Sequence, residues 1–357
     1  MKKILCESNP MCYGSSTVLL SIMEQLSNRT ICLAYGVAKE ILSKSSSELI
    51  EVNNKSSDDV KSVIENIDFD IVLVVSNTSN LQLYKSLNKK IVFVHIHYFF
   101  PNAHLNILDD VDYLFVQNFW NLLQSSKNVI KVGVLIKQIN SIERNKKEII
   151  LVNLGGGESR FIKPGVNSDY GLMMLNLLIH LKPFFSNKEI IVCGGTKIID
   201  TIVTKAKAHN IQALTLSNED YLNLLNKAEL LISSPGLNAI FEAIYRDIPI
   251  LFLPPQNVSQ VYQLTEYENA GLCKKGLNLT IPNYFVSEEI QTELLLTEMS
   301  NKYNDPNIIQ FQLDKLLSQL EYTKSKEYSD KIESARIYLG EIGTNTISKF
   351  INNVYKQ

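Results

Sequence analysis

Five cysteines in 357 residues are too few and too scattered to act together. Cys6, Cys12, Cys32, Cys193 and Cys273 are odd in number and form no Cys-x-x-Cys pair, which argues against a disulfide framework and a structural zinc site. Charge of one sign is not in excess: 35 Lys and Arg against 37 Asp and Glu give a net charge of −2. No basic face for nucleic acid is therefore expected. No apolar run approaches the length of a membrane span, and no Lys/Arg cluster signals membrane docking. The opening Met1 to Glu7 reaches a carboxylate too early for a signal peptide, so a cytoplasmic protein is expected. There is no internal repeat and little low-complexity sequence. What remains is an ordinary globular composition, 45% hydrophobic and 20% charged, in a chain long enough for two domains.

The stretch from Leu230 to Gly271 organises the rest. Leu230, Leu231 and Ile232 are a short apolar run, as in a parallel strand covered on both faces. Ser233, Ser234, Pro235 and Gly236 follow, with Ser234 as the expected helix cap and Pro235 at the first helical position. Leu237, Ile240, Phe241 and Ile244 recur at helical spacing, and Pro249 opens a second apolar run. A strand that delivers a small-residue turn onto a helix N-terminus presents free N–H groups and the positive end of a helix dipole to an anion. Glu242 is the odd residue on this helix. Its carboxylate suits the two hydroxyls of a ribose; the alternative is pairing with Arg246 at i+4.

Upstream, short apolar runs alternate with helical segments: Lys3 to Cys6, Thr30 to Tyr35, Leu49 to Val52, Ile71 to Val75, Ile91 to His97 and Tyr113 to Gln117. A polar stretch from Lys137 to Glu148 reads as a linker. The pattern restarts at Ile149 to Val152, Ile190 to Cys193 and Ala213 to Leu216. The fold class is α/β: two Rossmann-like domains in series facing a cleft, with ligands at the carboxyl ends of the strands. We expect one domain over residues 1–140, a second over residues 146–325, and further helices in 326–357.

Leu230 to Gly271 resembles the donor-binding signature of GT-B glycosyltransferases, in particular the MurG type, which adds N-acetylglucosamine to a lipid-linked precursor. The matching residues are Ser234-Pro235-Gly236, Glu242, Asp247-Ile248-Pro249, Gln260-Val261-Tyr262-Gln263-Leu264 and Ala270-Gly271. The chain departs by inserting Pro235, by Asp247 where Gly is usual, and by Gln263-Leu264 for Asn-Ala. The resemblance implies that Ser234, Pro235, Gly236 and Leu237 hold a diphosphate, Glu242 the ribose, and Gln260 and Gln263 the donor sugar. It also implies that residues 1–140 carry the acceptor and base, that residues 146–325 bind the nucleotide-sugar, and that the helices in 326–357 pack back to brace the first domain. Gly155-Gly156-Gly157, after the first strand of the second half, matches the family's Gly-Gly-Ser loop, although a plain tight turn is equally consistent. Arg160 is either a phosphate contact or a solvated surface residue.

In the first half, Gly14, Ser15 and Ser16 take the place of the family's Gly-rich acceptor loop, whose histidine is missing. Other bases are therefore sought. Residues two apart on a strand share a face, so His95 and His97 point the same way, and His97 sits nearer the carboxyl end. Glu7, at the end of the first strand, is a further candidate base. Tyr98 and Phe99 either stack on a planar acceptor or pack in the core. The opening Cys12 to Ser16 turn, Val94 to Pro101 and Asp112 to Gln117 are also similar to cytosylglucuronate synthases, which join glucuronate from its UDP ester to cytosine.

These features point to a glycosyltransferase moving a sugar from a UDP-sugar to a small acceptor by metal-independent, inverting displacement. Glucuronate onto cytosine is the leading pair. The UDP-sugar is a co-substrate, and neither a cofactor nor a metal is expected. A UDP-sugar hydrolase or epimerase of the same fold, a non-catalytic nucleotide-sugar-binding subunit, or a lipid- or polysaccharide-linked acceptor are the other readings. An NAD-type enzyme is disfavoured because the first turn lacks Gly-x-Gly-x-x-Gly.

Overall fold

The computed structural model describes residues 3–10, 13–36, 38–43, 48–52, 57–99, 110–122, 129–139, 148–156, 168–275, 288–303 and 305–354. The chain divides into two compact units, Met1–Ile139 with Leu339–Gln357, and Asn140–Tyr338.

The first unit runs β1 (Lys3–Ser8), α1 (Tyr13–Met23), β2 (Arg29–Ala34), α2 (Ala38–Leu42), β3 (Glu48–Glu51), α3 (Ser57–Ile64), β4 (Ile71–Val75), α4 (Leu81–Ser86), β5 (Lys90–His95), β6 (Tyr113–Gln117) and β7 (Val129–Val132). The strands form one parallel sheet in the order β3-β2-β1-β4-β5-β6-β7. Every residue of β4 is buried, because a parallel sheet is covered on both faces. Strand alternation divides the core in two. Ile4 and Cys6 pack with Val18, Leu19 and Ile22 on one face, and Leu5 packs with Val60 and Ile64 on the other. Strand β7, half-buried and only four residues long, was not anticipated from the sequence.

The second unit runs β8 (Ile149–Asn153), α5 (Ser168–Leu181), β9 (Glu189–Cys193), α6 (Thr196–Ala208), β10 (Gln212–Leu214), α7 (Asn218–Lys227), β11 (Leu230–Ser233), α8 (Leu237–Ile244), β12 (Ile250–Phe252), α9 (Val258–Asn269), α10 (Glu288–Tyr303), α11 (Pro306–Thr323) and most of α12 (Lys326–Leu339). Its five strands are also parallel, in the order β10-β9-β8-β11-β12. The free edge of β12 is covered by side chains. The Ile250 N–H donates to Tyr328 Oη at 2.9 Å and the Phe252 N–H to Gln319 Oε1 at 3.3 Å, at the period of two that a strand edge requires.

The C-terminal segment divides at Tyr338 and Leu339. Arg336, late in α12, donates to Ile244 O at 3.1 Å. The final helix α13 (Gly343–Val354) packs on α1 and β7 in the first unit. Ser348 Oγ donates to Ile22 O at 3.0 Å, and the Phe350 ring lies 4.7 Å from that of Tyr113.

Candidate functional site

In each sheet the strand order reverses once, between β1 and β4 and between β8 and β11. In open α/β sheets, ligands bind outside the carboxyl ends of the strands at such a reversal.

In the second unit the chain leaves β8 through a side-chain-supported turn. Asn153 Oδ1 accepts from the Gly155 N–H at 2.9 Å, and Gly155 takes φ +73°, a conformation that favours glycine. The loop rests on the next strand's exit. The Gly195 N–H donates to Gly155 O at 2.9 Å, and a Cβ on Gly195 would stand 2.1 Å from Gly156 O. Gly157 and Arg160 lie outside the described residues.

The exit of β11 lies beside it. The Ser234 N–H donates to Asn153 O at 3.0 Å, and the Gly236 N–H to Ser234 O at 2.7 Å. That tight turn shifts the helix start and corrects the sequence-based expectation. Gly236, not Ser234, is the N-cap of α8, Leu237 is its first residue, and Pro235 stands outside it. Gly236 has no side chain to cap α8, and among the described residues nothing lies within 4 Å of where a Cβ on Gly236 would be.

Glu242 is buried and forms an ion pair with Arg246, the pairing the sequence left open. Arg246 also donates from Nε to Asn226 Oδ1 at 2.8 Å. Asp247 takes φ +55°, the left-handed region that favours glycine. An ion pair with Arg336 holds its carboxylate. Gln260 and Gln263 are both buried on α9. Gln260 Oε1 accepts from the Gln256 N–H at 3.0 Å, and Gln263 Oε1 is buried with no hydrogen-bond partner among the described residues. Sequence reasoning missed Gln256, whose Nε2 donates to Leu154 O at 2.9 Å and to Ser234 Oγ at 3.4 Å. Its position just past the second strand of the organising stretch was the available signal.

In the first unit the candidates are more enclosed than expected. Glu7 is fully buried. Its Oε1 accepts from Tyr35 Oη, from Asn77 Nδ2 at 2.5 Å and from Asn80 Nδ2 at 2.6 Å, and its Oε2 accepts from Tyr84 Oη. Burial raises its pKa, and the four donors oppose that shift. With both oxygens held inside the unit, Glu7 is a structural carboxylate rather than a base facing a substrate.

The shared-face argument for the histidines also fails. Strand β5 ends at His95, whose Nδ1 accepts from the His97 N–H at 3.2 Å, so the strand's alternation stops before His97. The His95 ring packs edge-on to Tyr98 and the His97 ring to Phe99. His97 is half-buried, and burial lowers its pKa to about 4. It is thus neutral at physiological pH, and a weak base. Tyr98 and Phe99 are buried, Tyr98 within the core and Phe99 against Phe119 at 4.1 Å between ring centroids. Packing, the alternative to acceptor stacking, describes both. Ser15 and Ser16 are buried, Ser16 Oγ sharing a hydrogen bond with Ser8 Oγ at 2.9 Å, and Gly14 lies in the first turn of α1.

Two Asp-x-Asp triplets, Asp68-Phe69-Asp70 and Asp110-Val111-Asp112, precede β4 and β6. They stand at the amino ends of those strands, away from the carboxyl ends where a ligand is expected. Among the described residues, no group of three His, Cys, Asp or Glu side chains is placed to hold a metal. No described helix is long and apolar enough to cross a membrane.

No family profile and no curated protein sequence matches the chain. Solved structures do. The glycotransferase of kitacinnamycin aligns over 99% of this chain and 98% of its own, at 10% identity and a TM-score of 0.55. A variant of Os79 from O. sativa, in complex with UDP, aligns over 94% of this chain and all of its own, at 10% identity and 0.55. Acinetobacter baumannii MurG covers 89% of this chain at 14% identity, with a TM-score of 0.49. The first two likenesses, with two parallel Rossmann-like sheets, show that the chain has the GT-B fold.

Proposed function

We propose that the protein is a nucleotide-sugar-dependent glycosyltransferase that moves a sugar from a UDP-sugar to a small acceptor. One observation carries this: the Gly155 loop and the start of α8, whose N-cap Gly236 has no side chain, meet at the strand reversal of the second unit, where the backbone at Gly156 and the positive end of α8 suit a diphosphate. The fold likeness supports it, since one similar structure is a glycotransferase and another holds UDP.

In this reading Gly155, Gly156 and Ser234 to Leu237 hold the diphosphate, and the sequence adds Gly157 and Arg160 to them. Glu242, whose buried charge Arg246 compensates, accepts the ribose hydroxyls, and Gln260 and Gln263 line the sugar. The first unit supplies the acceptor contacts, and His97 is the base, neutral and able to take a proton. The reaction is direct, inverting displacement at the anomeric carbon. Helix and loop N–H groups stabilise the departing UDP, without a metal. Glucuronate and cytosine are the first donor and acceptor to try, on the resemblance of the first half.

The test follows UDP release from UDP-glucuronate, UDP-glucose and UDP-N-acetylglucosamine with and without cytosine. Acceptor-dependent release supports transfer. Release without any acceptor favours the hydrolase or epimerase reading, and transfer only to a lipid- or polysaccharide-linked sugar replaces the small acceptor. No release under any condition contradicts the proposal.

A further inference from the structure

Gln256 lies at the junction of three strand exits. It belongs to the connection between β12 and α9, yet its amide reaches past the exit of β11 to the exit of β8. Nε2 donates to Leu154 O in the Gly155 loop at 2.9 Å and to Ser234 Oγ in the α8 turn at 3.4 Å. The side chain is 3% exposed, and its backbone N–H is fixed by Gln260 Oε1 at 3.0 Å. The fit is close: a Cβ on Gly155 would stand 2.9 Å from Gln256 Nε2 and 3.3 Å from Ser234 Oγ.

The amide orientation is costly for its other half. Gln256 Oε1 is buried and has no hydrogen-bond partner among the described residues. Turning the amide over would set Oε1 against Leu154 O, acceptor facing acceptor, and would release the Gly155 loop, since only the Ser234 hydroxyl could then donate to it. A buried polar atom left unpaired calls for a reason, and the two-loop contact of Nε2 supplies one.

We propose that Gln256 is a positioning residue of the donor pocket: its side-chain amide pins the Gly155 loop to the Ser234 turn, so that the backbone at Gly156 and the start of α8 are held in one arrangement for a diphosphate. The inference rests on the donor-site reading, because Gln256 acts through the loops that would touch the ligand. Spacing fixed before binding means that the ligand need not order the loops itself.

The test compares Gln256→Met, which keeps the length and loses the donor, with Gln256→Ala in the full chain. Hydrogen exchange is followed in the absence of ligand. Exchange at residues 154–156 and at Ser234 and Gly236 should rise by about tenfold in both variants, the scale of one lost hydrogen bond, with β8 and β11 unchanged. UDP affinity should fall by about tenfold in both, with the donor KM rising and the acceptor KM unmoved. A Gln256→Met protein with wild-type exchange would overturn the proposal, since the side chain would then only fill space. Exchange raised throughout the unit would also overturn it, by showing a general structural role. If the wild-type chain binds no UDP, the donor-site reading falls and the exchange result still decides whether Gln256 pins the loops. If the wild-type chain binds UDP and both variants bind it equally, the pin fails and the donor-site reading stands.

Discussion

Glu242 and Arg246 stand one turn apart at the end of α8 and form an ion pair whose side chains are 5% and 4% exposed. Removing one partner leaves an uncompensated buried charge. Arg246→Ala should therefore cost about 3–5 kcal/mol of stability, measured by denaturant unfolding. The pair replacement Glu242→Gln with Arg246→Met should recover much of it, because two neutral side chains of similar volume leave no charge unpaired. A loss below about 0.5 kcal/mol, the scale of an ordinary surface change, would show that the pair is not the buried one described.

Gly236 separates ligand binding from stability. A Cβ there meets nothing within 4 Å, and its φ of −80° suits any residue. Gly236→Ala should change unfolding only by the modest amount expected of an N-cap alanine, about 1 kcal/mol. UDP affinity should fall by about tenfold or more, because the added methyl occupies the space at the start of α8 where the diphosphate approaches. Equal affinity in the two proteins would place the phosphates elsewhere.

Glu7 makes stability pH-dependent with a definite sign. Its folded pKa is raised from the ordinary value of 4.5, chiefly by burial. As pH rises past 4.5 the unfolded state loses this proton first, so stability present below 4.5 is lost as pH climbs through the raised folded value. Unfolding at a series of pH values should show the wild-type chain losing stability through that window relative to Glu7→Gln, which has no proton to lose. A wild-type advantage that grows with pH would contradict the sign.

His97 should leave its mark at low pH. With a pKa lowered to about 4 by burial, it is neutral through the physiological range. Turnover limited by this base should fall only as pH approaches about 4, and His97→Ala should lower turnover by about 10²–10⁴ without changing UDP affinity. An inflection near the usual histidine value, or near-normal turnover in the variant, would assign the base elsewhere.

The parallel sheets were legible because short apolar runs such as Ile71 to Val75 and Leu230 to Ile232 have to be covered on both faces. The turn after β11 was legible as a type, though not in its detail. The Gly236 N–H closes on Ser234 O and moves the helix start past Pro235, a local choice between two adjacent turns. The end of β5 was hidden for a different reason. Ser76 Oγ takes the Ile96 N–H at 3.3 Å, and Ser76 lies twenty residues away on another strand exit. Gln256 and the Glu7 cage share that cause. Their partners lie 22 to 102 and 28 to 77 residues distant, and no spacing rule reaches so far.

The most direct measurement is a calorimetric titration of the full chain with UDP, followed by UDP-glucose, UDP-N-acetylglucosamine and UDP-glucuronate. The account predicts saturable binding of UDP at one site, competition by at least one of the sugar esters, and weakened binding in Gly236→Ala. No heat from UDP or any of the three esters, in a chain shown to be folded, would contradict it.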